Sequence, residues 1–154
     1  MGFYDGYNVA TSGMSAQRTR INVISANIAN AKTTHTENGG PYKKQQVVFE
    51  DVLVANNNKK TNSSDVETTN NLQSDLALRG VGVKAILQSD AKPVMKYEPT
   101  HPDANEQGYV AYPDINPVVE MVDLIEATKS YEANVASFEA HKNMDTKTLD
   151  ILNM

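Results

Sequence analysis

His35, His101 and His141 are the side chains of this chain best suited to proton transfer or metal ligation near neutral pH. They lie in three separate stretches, with no H-x-x-x-H pair and no carboxylate cluster beside any of them, which a zinc site would need. There is no Cys, so a thiolate nucleophile, a disulfide framework, a Cys-based zinc site and an iron–sulfur cluster are excluded. Ser12 and Ser25 have no partner base at any spacing used for acyl transfer. Glu98 and Asp103 form a conceivable carboxylate pair, but nothing around them in sequence would give the two groups different roles, and they read as solvated turn residues. Gly80-Val81-Gly82 opens like a phosphate-binding loop, yet Ala85 occupies the third glycine position and no Gly-Lys-Ser/Thr follows. A strand with a close backbone approach explains that triplet better. No catalytic, cofactor-binding or metal-ligating residue is assigned, and no small-molecule substrate is expected.

The chain has 154 residues, 14 Lys+Arg against 19 Asp+Glu, and a net charge of −5. Without a basic block, that balance argues against a nucleic-acid binder held by phosphate contacts. Hydrophobic residues make up 40% and are mostly small, and there is no Trp, so a large aromatic core is not expected. No apolar run approaches the ~20 residues that cross a bilayer. Met1-Gly2-Phe3-Tyr4-Asp5-Gly6 lacks a positive n-region and a cleavage site, and Gly6 stands where a myristoylation signal wants Ser or Thr. Export, if it occurs, is expected to use no cleaved signal peptide. Charge is unevenly placed: Arg18, Arg20 and Lys32 oppose only Asp5 in residues 1–32, whereas Lys129, Lys142 and Lys147 face seven acids in residues 117–154. Ends of opposite sign favour meeting one another, or a neighbour's counterpart.

Two stretches carry helix-on-helix periodicity. Phe3, Tyr7, Ala10, Met14, Gln17, Ile21, Ile24, Ile28 and Ala31 follow a 4-3 alternation, and eight of the nine are apolar. That is an a/d seam. Gly6 and Gly13 weaken this helix by ~1 kcal/mol each, so it needs a partner surface. At the other end, Asn116 can cap a helix whose first residue is Pro117, and Glu120, Asp123 and Glu126 complement the positive end of its dipole. Met121, Leu124, Thr128, Tyr131, Val135 and Phe138 then repeat the same alternation, and Leu149 and Leu152 resume it after an eleven-residue step. Asn22, Asn27, Asn30 and Asn134 are placed to set register by hydrogen bonds between helices.

Between these helices the pattern changes. Gly39-Gly40-Pro41 ends the first helical region. Gln46 to Val54 reads as a strand. Asn56 to Asp75 is a polar, low-complexity stretch read as a loop. Val81, Val83, Ala85 and Leu87 alternate as a strand with one buried face. Pro93 to Pro99 is a short extended piece, and a turn at His101 to Gly108 leads into Tyr109-Val110-Ala111-Tyr112. The middle is a small β-rich module.

Particular residues carry a family resemblance. The run Ser12-Gly13-Met14-Ser15-Ala16-Gln17-Arg18-Thr19-Arg20-Ile21-Asn22-Val23-Ile24-Ser25-Ala26-Asn27-Ile28-Ala29-Asn30-Ala31 resembles the N-terminal signature of the bacterial flagellar rod and hook axial proteins. Tyr131-Glu132-Ala133-Asn134, with Asn143-Met144 beyond it, resembles their closing motif. Pro41-Tyr42, Gln46-Val47-Val48-Phe49, Tyr97-Glu98-Pro99, His101-Pro102-Asp103-Ala104, Gly108-Tyr109-Val110 and Pro113 are similar to the proximal-rod members.

The resemblance implies a non-enzymatic structural subunit of the flagellar basal body. It would be delivered by the flagellar type III export apparatus and would assemble helically with other rod proteins and copies of itself into a torque-transmitting shaft. The expected fold is α+β: long terminal helices paired as a coiled-coil-like hairpin (residues 1–32 and 117–154), with a β-rich module at residues 33–116 inserted between them. The expected subunit interface is Phe3, Tyr7, Met14, Ile21, Ile24, Asn27, Ile28, Met121, Leu124, Tyr131, Asn134, Val135 and Phe138. Cofactor, nucleic acid and membrane embedding are not expected. The competing reading is a soluble helical-hairpin adaptor or export chaperone that binds one partner.

Overall fold

A computed structural model describes residues 5–53 and 79–152. Phe3 and the polar stretch Asn56 to Asp75 lie outside the described residues. The element order is α1 (Asp5–Ala29), β1 (Gln45–Leu53), β2 (Arg79–Gln88), β3 (Val94–Tyr97), β4 (Tyr109–Tyr112) and α2 (Pro117–Leu152). The chain is α+β, with helices first and last and small antiparallel sheets between them.

α2 begins where the sequence places it. The Asn116 side chain accepts the Val118 N–H at 3.0 Å and its carbonyl accepts the Glu120 N–H at 3.1 Å, which satisfies two amides of the first turn. α1 ends at Ala29, ahead of the glycine pair. Asn30 turns its amide back onto the Ala26 carbonyl at 2.9 Å and accepts the Thr33 hydroxyl at 3.1 Å. Gly39 and Gly40 then adopt φ of 79° and 76° in the turn before β1, a conformation that side chains with a Cβ rarely take.

α1 is the middle layer. It packs on α2 along one side and on the β1–β2 ribbon along another, and among the described residues α2 packs on no other element. The ribbon is tied to α1 near its far end by the Val81 N–H donating to Ser12 Oγ at 3.1 Å. Its register slips at Lys84: Val48 faces Ala85, and Phe49 faces Val83. This bulge moves the covered side of β2 from Gly80 and Gly82 to Val83 and Ala85. The uninterrupted alternation expected for β2 therefore does not hold, and Val81 and Leu87 are exposed. Gly82 does provide a close approach, because a Cβ there would sit 2.6 Å from Val52 Cγ2.

The β3–β4 hairpin is joined by the segment around His101. Tyr97 and Tyr109 stack edge to face with centroids 5.4 Å apart, and Lys96 lies 4.8 Å from the centre of the Tyr112 ring. Val110 is fully buried. Thr34 donates to Asp103 at 2.7 Å, which binds this hairpin to the segment that follows α1.

Candidate functional site

The helix pair has a simple numbering rule. A Cβ on Gly6 would meet the His141 imidazole at 2.9 Å, and one on Gly13 would meet the Asn134 amide at 2.9 Å. Asn27 donates to Glu120 at 3.1 Å. In each of these pairs the two residue numbers add to 147, so the helices run antiparallel with α1 residue i opposite α2 residue 147 − i. Arg20 reaches Glu126, one position off this line, at 3.5 Å.

The lines that meet share half of each seam expected from apolar spacing and depart from the other half by one residue. On α1 the expected Ala10 and Ile24 are buried, but the line beside them runs through Gly6, Gly13, Arg20 and Asn27, with Tyr7, Met14, Ile21 and Ile28 on its flank. On α2 it runs through Glu120, Ala127, Asn134 and His141 rather than Met121, Thr128 and Val135. Leu124, Tyr131 and Phe138 flank this line, all half-buried. The physical reason is size. Glycine on α1 opens sockets that the imidazole and amide of α2 fill, and such sockets let two backbones approach closely. Larger apolar residues are then left on the flanks. Tyr7, Met14, Ile21, Ile28 and Val135 are half-buried, and Met121 is 51% exposed. Ile24 and Asn27 are covered by the chain's own fold. Tyr7 packs edge to face on Phe138 at 4.9 Å and donates to Asp145.

Asn27 and Glu120 are each 1% exposed and anchor a polar cluster where α1, the start of β1 and the first turn of α2 meet. The Asn27 amide donates to the Gln45 carbonyl at 2.9 Å and to Glu120, while its oxygen accepts the Gln45 N–H at 2.9 Å and the Tyr42 hydroxyl at 3.2 Å. All four hydrogen-bonding positions of that side chain are in use. Lys44 closes the cluster with its Nζ 2.6 Å from Glu120 Oε1. Burial, and secondly the charge of Glu120, push the Tyr42 phenol above its ordinary value. Beside this cluster a cleft of about 360 Å³ is lined by Val23, Ile24, Val47 and Phe49 with Arg20 and Asp123.

Of the other residues weighed for chemistry, His101 Nδ1 accepts the Asp103 N–H at 3.1 Å, Glu98 accepts the Tyr112 hydroxyl at 2.8 Å, and His35 is exposed. The bond to Glu98 holds the Tyr112 phenol above its usual range. Among the described residues no group of three or more His, Asp or Glu is placed to hold a metal ion, and no helix is long and apolar enough to cross a membrane.

The sequence of a family described as "Flagella basal body rod protein" matches residues 8–34, most of α1, and that of "Flagellar basal body rod FlgEFG protein C-terminal" matches residues 106–151, which includes nearly all of α2. A flagellar basal-body rod protein FlgC of Borreliella burgdorferi is 39% identical over 99% of both chains. The chain belongs to the FlgC family of flagellar basal-body rod proteins. FlgC of Bacillus subtilis is 38% identical over 96% of this chain and 97% of its own, and FlgC of an Escherichia coli O6:H1 strain is 34% identical over 94% of each. The two stretches recognised at family level contain most of the two paired helices, and the second also takes in β4.

Several residues that build this site were not singled out from sequence. From sequence alone Gly6 and Gly13 register only as costs to helicity, Glu120 only as a complement to the helix dipole, and nothing in the spacing marks Lys44. The signal available was the heptad series Gly6, Gly13, Arg20, Asn27, which runs beside the apolar one.

Proposed function

We propose that the chain is a repeating structural subunit of the flagellar rod, in which the paired helices form the shaft-building part and the β-rich module an appended one. In this reading its partners are other rod proteins and copies of itself, reached after delivery by the flagellar type III export apparatus without cleavage of a signal. The assembled array is helical, because head-to-tail contacts that do not close propagate, and it carries motor torque toward the hook and filament.

The observation that supports this reading is the side of α2 turned away from α1. Val118, Val122 and Ile125 fall on one stripe there, each 60% exposed or more. Leu149, Ile151 and Leu152 are exposed as well, beyond the Tyr7–Asp145 contact. With the flank of Met14, Ile21 and Ile28 on α1, the pair keeps apolar surface on both helices after its own contact is made. A hairpin that worked alone would leave that surface in water at ~25 cal/mol per Å².

The test is Val122→Glu. In the isolated chain the melt should stay within about 0.5 kcal/mol of wild type, because the position is solvated. Cells carrying only the variant should be non-motile and lack assembled rods. Normal swimming with intact basal bodies would overturn the assignment of this stripe to subunit contact.

A further inference from the structure

The glycine sockets do not by themselves fix how the two helices line up. They are seven residues apart on α1, and the residues that fill them are seven apart on α2. Sliding α2 by one heptad gives pairs that add to 140 or to 154 instead of 147. In the first arrangement Asn134 would enter the Gly6 socket, Ala127 would face Gly13, and Glu120 would face Arg20. In the second, His141 would enter the Gly13 socket and Ala127 would face Asn27. Both alternatives refill a socket, and the first exchanges the Arg20–Glu126 pair for an Arg20–Glu120 one. Apolar contact is non-directional and does little to separate them.

The cluster at the β-module end does separate them. Glu120 is buried, and its two oxygens meet Lys44 at 2.6 Å and Asn27 at 3.1 Å. Asn27 is in turn fixed to the start of β1 through both backbone groups of Gln45. A slip in either direction removes the carboxylate from Lys44 and Asn27 and leaves those groups without it. We infer that the Asn27–Glu120–Lys44 cluster is a register lock: of three heptad positions that each fill a glycine socket, it holds α2 at one, with the more exposed Tyr7–Asp145 and Arg20–Glu126 contacts set to the same register. A buried polar group that chooses register at some cost in stability is a known device in coiled coils. Here it works within one chain, with the β module supplying the deciding cation.

The absence of cysteine makes the test clean. Cysteines introduced at Asn22 and Ala140, both exposed, take spin labels in the full chain. In the observed register the two sites are offset along the axis by ~22 Å, and a heptad slip changes that offset by ~10 Å. The lock is removed by Lys44→Met with Glu120→Met, a pair of changes that leaves no unpaired buried charge. The wild type should give one distance. The double variant should keep its helix signal and show a second population displaced by about 10 Å. Glu120→Gln, which retains a hydrogen-bonding group for Asn27, should show less of that population than the double variant. A single unshifted distance in the double variant overturns the proposal. So does loss of helix pairing, seen as a broad distance distribution with reduced helicity, because the cluster would then be needed for pairing itself rather than for its register.

Discussion

Replacing Gly13 by alanine sets two opposing effects against each other at one position. Alanine in a helix interior is favoured over glycine by about 1 kcal/mol. The new Cβ would lie 2.9 Å from Asn134 Nδ2 and 3.0 Å from both Cγ and Oδ1, against the ~3.5–4.0 Å at which carbon contacts are favourable. Three atoms of one short side chain are overlapped together, so the amide must leave its socket or the helices must part. Overpacking of this kind costs roughly 1–3 kcal/mol. The net expectation for Gly13→Ala is therefore a loss of up to ~2 kcal/mol despite the gain in helix propensity. In an Asn134→Ala background the obstruction is gone, and the same substitution should stabilise by ~1 kcal/mol. Equilibrium urea unfolding of the four proteins, followed by far-ultraviolet circular dichroism, closes the cycle. The coupling expected between the two sites is ~1–3 kcal/mol. If Gly13→Ala stabilises by the same amount in both backgrounds, the socket is not filled by Asn134 and the numbering rule for the helix pair is wrong.

Two further outcomes follow from the polar cluster. Lys44→Met leaves the Glu120 carboxylate buried with one hydrogen-bond donor and should cost ~3–5 kcal/mol. Glu120→Gln leaves a Lys44 side chain that can swing into water and should cost about 1–2 kcal/mol. Denaturant titrations that rank the two variants in the opposite order would refute this account of where the buried charge lies. Tyr42 predicts an alkaline effect. Because burial, and then Glu120, raise its pKa in the folded state, the folded chain keeps the phenolic proton to higher pH than the unfolded chain does. That contribution is intact below the ordinary phenol value near 10 and is lost as pH rises through the folded pKa. Unfolding midpoints measured from pH 8 to 11 should fall more steeply in the wild type than in Tyr42→Phe, and parallel curves would remove Tyr42 from the explanation.

Much of the architecture was legible because it rests on local chemistry. Asn116-Pro117 started α2 through a cap that the backbone amides require, and the 4-3 alternation identified both helices. The paired strands followed from β-branched runs bounded by glycine and proline. What could not be read was which line of each helix faces the other. Hydrophobic spacing selected Ala10 and Ile24, which are buried, but beside them it selected Tyr7, Met14, Ile21 and Ile28, whereas the adjoining contact line runs through Gly6, Gly13, Arg20 and Asn27. That choice depends on how closely two backbones can approach, a property of the pair and not of either stretch alone. The bulge at Lys84 was hidden for a similar reason: a strand does not reveal from its own sequence where its partner will skip a residue. Asn27 was legible as a residue that hydrogen-bonds between helices, and it does so from α1 to Glu120 of α2; its second set of bonds, to the backbone of Gln45, was not.

The glycine sockets also bear on how the helix pair behaves under load. Two oily stripes pressed together resist separation but offer little stiffness against sliding lengthwise, since one methyl group replaces another at almost no cost. An imidazole and a carboxamide seated in notches behave like pegs in a ratchet. Axial shear must lift them out before the helices can creep, so a strut built this way is stiff to small displacements. When it yields, it does so by whole steps of about 10 Å.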